Sequence, residues 1–524
     1  MFRGAGDGVC SAGGWANCPE GSTARDSKWG CQATLPSTAC TGASRDAYGS
    51  ATCVPIGDCD AAFPPTNATL FVDPTGAVDA THFTRIKDAM AASTSGAVIA
   101  IAPGTYLESL VATTDLTLVG RCAAKVSVVG AASNVRGLRV EGGAKVTARG
   151  LTITKQFIGV SVGVGASLAL SDSVIEANSE VGISLSEGVS TFTGERLAVR
   201  DNKEGSSGLH GWGLNAQAGA TVTVTDSAFS GNHYANVRLS SKSSGTFERI
   251  VLRDGKPTTM EDVGRGLSVQ EGATAKVTRA AIVDNYEIGI LAADATTIEL
   301  EDVLVGSTKL ARSGAFGRAL DAFGGAQVHA RRFHAYDNHD ASVIAVEAGT
   351  HVTFEASSIV DTAFEKQGLL GRAIAVQQGA TVDVVDSAIA NAHEVAVAVF
   401  DKGTRLTVSR SIVTGTQPNG EAAFGHGVMA AFGSLVEIAD SEIAESAGVG
   451  IAIGDASARI ARVRIRKNAV GLYVQDGTTL REAADSVPGP LEVTVTSDTL
   501  FLGNTTRFSA GLVPLPAPLA ALAP

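Results

Sequence analysis

Positions 423–428 read AFGHGV, and the glycine-flanked His426 is a residue whose type could move a proton. For a histidine to take part in opening a glycosidic bond, carboxylates must stand beside it. One activates water and another protonates the leaving group, roughly 6.5–9.5 Å apart in inverting chemistry. No DD dipeptide occurs anywhere in the chain. A second cluster, RRFHAYDNHD, gathers His334, Asp337, His339 and Asp340, residue types that could ligate a metal ion. No Gly-rich phosphate loop and no nucleophile elbow is present.

Six of the seven cysteines fall before residue 60: Cys10, Cys18, Cys31, Cys40, Cys53 and Cys59. No C-x₂-C pair is among them, so they read as three disulfides in a small stapled module rather than a zinc site, with about 15 pairings open. Cys122, in LTLVGRC, is left over as a buried thiol. Disulfides imply an oxidising compartment. The opening MFRGAGDGVCSAGG shows no apolar core of a signal peptide, and GLVPLPAPLAALAP is too short and proline-rich to span a bilayer. The expectation is a soluble or surface-held protein outside the cytoplasm. A net charge of −12 argues against nucleic acid and anionic membranes as partners.

The elements that must position any site come from a repeat. RGLRVEGGAKVTARGLTIT, WGLNAQAGATVTVTDSAFS, RGLSVQEGATAKVTRAAIV, RAIAVQQGATVDVVDSAIA and HGVMAAFGSLVEIADSEIA share one pattern of short alternating apolar runs broken at glycine. A unit this small cannot own a core, so the spacing predicts coils stacked into a solenoid, with inward ladders about 4.8 Å apart. Asn178, Asn232, Asn285, Asn338 and Asn391 recur at one turn and are expected to form a single structural column.

LFVDPTGAVDATHFTRIKDAMAASTSGAVIAIAPGTYLE resembles the entry into right-handed parallel β-helix proteins of the pectin-lyase-like superfamily. The resemblance implies a capping helix at Phe83–Ala92, then a turn built on Pro103, Gly104, Thr105, Tyr106 and Glu108. It covers about residues 68–505 and speaks for fold rather than chemistry, since that superfamily holds lyases, hydrolases, esterases and non-catalytic surface proteins. The cysteine-rich opening resembles modules preceding such β-helices in exported bacterial proteins. In the polygalacturonases of this fold a GHG histidine works with three aspartates and an Arg-x-Lys pair. Here NTD is missing, RIK falls in the expected cap helix, and Arg464–Lys467 reads RIRK.

Coil lengths alternate between 22–24 and 30–31 residues. Every second coil therefore carries an insertion, and each insertion ends in glycine: Gly211, Gly264, Gly317, Gly371 and Gly425. Insertions at one phase of a solenoid project from one side, so five loops are expected in a row. Val263, Phe316, Leu370 and Phe424 precede four of those glycines, and Arg265, Arg318 and Arg372 follow three of them. These seven are the candidate binding residues, because function concentrates on loops held by a rigid scaffold.

His426 fills the slot of Trp212, Arg265, Arg318 and Arg372. Twenty-two residues after each arginine stands an acid (Glu287, Asp340, Glu394), Tyr234 follows Trp212, and Gly448 follows His426. His426 is thus read as a residue of the repeat. The full reading is an all-β, single right-handed parallel β-helix with an N-terminal capping helix. It divides into a disulfide module at 1–66, the β-helix at 67–505 and a Pro/Ala-rich tail at 506–524. Functionally it is an exported, non-catalytic protein binding a polysaccharide or surface protein, with no cofactor and no metal. The alternative is a polysaccharide lyase or glycoside hydrolase.

Overall fold

The computed structural model describes residues 18–25, 29–130, 135–186, 188–475, 477–483, 485–509 and 514–519. They form two compact units, one of residues 33–286 and one of residues 1–32 with 287–524. Each unit is a stack of parallel β coils.

In the first, a coil runs Ile158–Val162, Ser167–Ser171 and Val174–Glu176, and each strand pairs in parallel with its successor one coil on. Inward residues align as a ladder, Val160, Ile183, Leu214, Val237 and Leu267, all closed to solvent. The second unit repeats this with Ile290, Leu320, Val343, Ile374, Val397, Val428, Ile451 and Leu472. Each buried aliphatic side chain contributes about 1.5–3 kcal/mol of transfer free energy, repeated coil after coil.

The cap helix is shorter than expected, Ile86–Ala92, because Phe83 is drawn into a strand against Val72. Its first two amides donate to the Glu108 carboxylate at 3.0 and 2.8 Å, so the glutamate of the PGTYLE turn closes the helix N-terminus.

In the unit of residues 33–286 buried asparagines bond one to the next. Asn178 Nδ2 donates to Asn202, Asn202 Nδ2 to Asn232, Asn232 to Asn236, and Asn236 to Asn285, at 2.8–3.0 Å. Asn338, in the second unit, donates to the Val305 carbonyl. Asn391 is out of register: it occupies the left-handed turn position (φ +56°), where Asp337 stands in an earlier coil, while Ala392 fills the buried slot. Its Nδ2 bonds the Asp361 carboxylate instead.

Disulfides join Cys18 to Cys31, Cys40 to Cys53 and Cys59 to Cys122. Cys122 is therefore not a free thiol, and Cys10 lies outside the described residues. The cysteine-rich segment lies against the coils. In the unit of residues 33–286, Arg200 donates to the carbonyls of Cys40 and Ser44, and Arg253 to that of Pro36 and to Asp46. In the other unit Arg25 is buried between Asp337 and Asp361, 2.6 Å from each.

Candidate functional site

His426 opens a strand, His426–Ala431, and pairs with Val395 of the preceding coil. Both neighbouring glycines have structural causes. Gly425 ends the inserted loop at φ +84°, and a Cβ on Gly427 would lie 2.6 Å from the Gly450 carbonyl of the next coil. The ring is 3% exposed. The Val449 amide donates to Nδ1 at 3.1 Å, so Nε2 carries the proton and donates to the Pro514 carbonyl at 3.2 Å. Burial lowers its pKa below the ordinary histidine value. A neutral imidazole with both nitrogens engaged has no proton to exchange with a substrate. A Cβ on Gly448 would meet Nδ1 at 2.7 Å, which is why glycine rather than an acid follows one coil on.

The charged slots behave as the spacing implies. Arg372 Nε lies 2.6 Å from Glu394, and Arg318 Nε lies 2.6 Å from Asp340. Arg318 also reaches Asp321 at 3.1 Å. All five side chains are buried, and desolvation pushes the Asp321 carboxyl up to about 6. Trp212 and Tyr234 meet edge to face at 5.8 Å. Arg265 and Glu287 belong to different units, and that pair stays an expectation.

The four residues of RRFHAYDNHD do not converge. His334 is sealed inside the coil, its pKa lowered to about 4 by burial, and bonds Ser358. His339 donates to the Thr308 carbonyl, Asp337 binds Arg25, and Asp340 binds Arg318.

Four of the five inserted loops share one internal turn: Gly205, Ala311, Glu365 and Asn419 each donate a backbone N–H to the carbonyl four residues on. They also bond to one another. The Lys366 amide donates to the Gly314 carbonyl at 3.0 Å and the Gly420 amide to that of Gly368 at 2.7 Å; in the other unit Met260 donates to Gly208. Skipping the short coil, these loops thus stack within each unit on the loop of the next double coil.

The expected binding side chains sit inward of this ridge. Val263, Phe316, Leu370 and Phe424 are half-buried. Phe316 covers the Arg318 guanidinium at 4.6 Å, Phe424 packs edge-on against His426, and Leu370 joins a cluster with Ala341 and Ile344. Arg318 and Arg372 are enclosed by their acids, so of the seven candidates these two brace the loops from below. The ridge instead exposes Phe364, Lys366, Gln367 and Leu369 in one unit and Met260 in the other.

One recurring constellation escaped the spacing argument. Where the coil turns between its second and third strands, Asp172–Arg196, Asp226–Arg249, Asp302–Arg332, Asp386–Arg410 and Asp440–Arg462 form two-pronged ion pairs across adjacent coils at 2.5–2.9 Å. All ten residues lie at φ between +48° and +56°. The signal was present as aspartate and arginine alternating before a small or apolar residue, in SDS, GER, TDS, FER, VDS, SRS and ADS.

Residues 136–305 match the family model described as a right handed beta helix region. Together with the parallel sheets this gives the chain the fold of a right-handed parallel β-helix. No curated protein matches it in sequence. Among solved structures, a pectate lyase, Pel9A, is similar at 14% identity and TM-score 0.42, over 53% of this chain and 78% of the lyase. The A-module of the mannuronan C-5 epimerase AlgE6 from Azotobacter vinelandii is similar at 13% identity and TM-score 0.33, over 79% of this chain and 94% of the module. A chain of the Vag8–C1 inhibitor complex is similar at 12% identity and TM-score 0.42, over 79% and 99%.

Proposed function

We propose that this protein is an exported, non-catalytic β-helix whose row of inserted loops binds a polysaccharide or a surface protein. The observation that carries the reading is the stacking of loops 309–317, 363–371 and 417–425 through their own backbone hydrogen bonds. A ridge already ordered in this way loses little conformational entropy on binding, which favours an extended partner lying along it. Phe364 and Leu369 supply apolar faces and Lys366 and Gln367 supply donors. Three disulfides fit a location outside the cytoplasm. Among the described residues no helix is long and apolar enough to cross a membrane.

The alternative, a polysaccharide lyase or hydrolase, is favoured by one feature, the two acids Asp321 and Asp340 set around Arg318. Both carboxylates are closed to solvent at 0% and 1% exposure. A substrate would have to open the sheet face to reach them.

The reading is tested on a glycan array, with a parallel capture of surface-protein fractions, using the wild type and a Phe364→Ser, Leu369→Ser double variant. Loss of the bound partner in the variant supports the ridge. Unchanged binding places the partner elsewhere and removes it.

A further inference from the structure

Along the outer face of the sheet that carries His426–Ala431, in the unit of residues 287–524, one column reads Leu291, Asp321, Ile344, Ala375, Ala398, Met429, Ala452 and Tyr473, paired coil to coil and apolar from Ile344 on. In the unit of residues 33–286 the corresponding positions hold Ser161, Ser184, Asn215, Arg238 and Ser268, as expected of an outward row. An apolar outward row needs a cover. That cover is the chain's own segment Pro514–Leu519, which reads PLPAPL.

The contacts are spaced along the segment. His426 Nε2 donates to the Pro514 carbonyl at 3.2 Å and Arg372 Nη2 to that of Ala517 at 2.7 Å. Gln377 makes two bonds to Leu519, donating to its carbonyl at 3.0 Å and accepting its amide at 3.1 Å. Leu515 packs on the cluster of Val395, Phe400, Met429 and Tyr473, and Leu519 on that of Ile344, Val346 and Ala375. The remaining residues are three prolines and an alanine. Prolines bring no N–H to be orphaned and hold the backbone extended before it docks. Arg372 Nη1, on the same guanidinium, is buried with no hydrogen-bond partner among the described residues.

Three side chains that read backbone carbonyls, over apolar seats for leucines four apart, make a receptor for a peptide. We infer that this strip, separate from the loop ridge, is a docking site for an extended, proline-interrupted peptide with leucines at i and i+4, and that residues 514–519 are its occupant in cis. A peptide of the same kind presented by another protein competes for the strip.

The test compares the full chain with a chain shortened after residue 513, titrated against a fluorescein-labelled PLPAPL peptide and read by anisotropy. The shortened chain is expected to bind saturably, and the full chain at least tenfold more weakly. Gln377→Ala in the shortened chain is expected to weaken binding several-fold, and a peptide with both leucines replaced by aspartate is expected not to bind. A shortened chain that keeps its circular dichroism and melting transition but ignores the peptide overturns the proposal, as does equal binding by both chains. Should shortening unfold the protein, the full chain carrying Leu515→Asp and Leu519→Asp takes its place. If that variant also unfolds, the segment belongs to the core and the proposal falls.

Discussion

Arg372 reaches one coil ahead to Glu394, with Nε 2.6 Å from Oε2 and the two side chains 1% and 6% exposed. A pair this enclosed is held by geometry rather than by bulk charge, and removing one partner strands the other. Glu394→Gln should cost roughly 3–5 kcal/mol of unfolding free energy. A double-mutant cycle with Arg372→Met should show a coupling of at least about 1 kcal/mol. Additive losses in urea denaturation would mean the two residues do not communicate.

Asp321 supplies a pH dependence of definite sign. Its folded pKa is raised to about 6 from 3.8, so between those values the folded chain holds a proton the unfolded chain has released. The group therefore lowers stability as pH rises from about 4 to 6, by an amount on the order of 3 kcal/mol. The stability of Asp321→Asn relative to wild type should rise across that window. A difference that stays flat from pH 4 to pH 7 would show that Arg318 already keeps Asp321 ionised.

The asparagine register yields a contrast between two neighbours in type. Asn202→Ala removes the acceptor of the buried Asn178 side-chain amide and one of the two bonds to Asn232 Oδ1, and should cost about 1–3 kcal/mol. Asn391→Gly, at a left-handed turn open to solvent on one side, should change stability by no more than about 0.5 kcal/mol. Equal losses at both positions would contradict the register.

Peptide mapping without reduction should recover the Cys59 peptide joined to the Cys122 peptide. The bridge closes a loop of 63 residues, and Cys122→Ser should destabilise the chain by about 4 kcal/mol on the loop-entropy account. Finding Cys122 alkylated as a free thiol would refute the pairing.

Legibility followed periodicity. The pairing of Arg318 and Arg372 with their acids, the aromatic pair at Trp212 and the repeat slot that His426 occupies are readable because stacked coils repeat a slot at fixed spacing. The same logic slipped at Asn391, where the turn position and the buried slot are adjacent and both accept asparagine. The Asp–Arg turn ladder was periodic too, but aspartate and arginine alternate there, so a search for one recurring residue type passes over it. Cys59–Cys122 and the seat of residues 514–519 leave no periodic trace. They are single contacts between segments far apart in sequence, and only packing reveals them.

On the proposed function the chain binds its partner without turning it over. The most direct measurement incubates purified protein with a panel of neutral and acidic polysaccharides, polygalacturonate included, and assays new reducing ends and unsaturated ends. Neither product is expected at any pH from 4 to 8. Release of ends that disappears in His426→Ala or Asp321→Asn, with the fold of those variants intact, would contradict it.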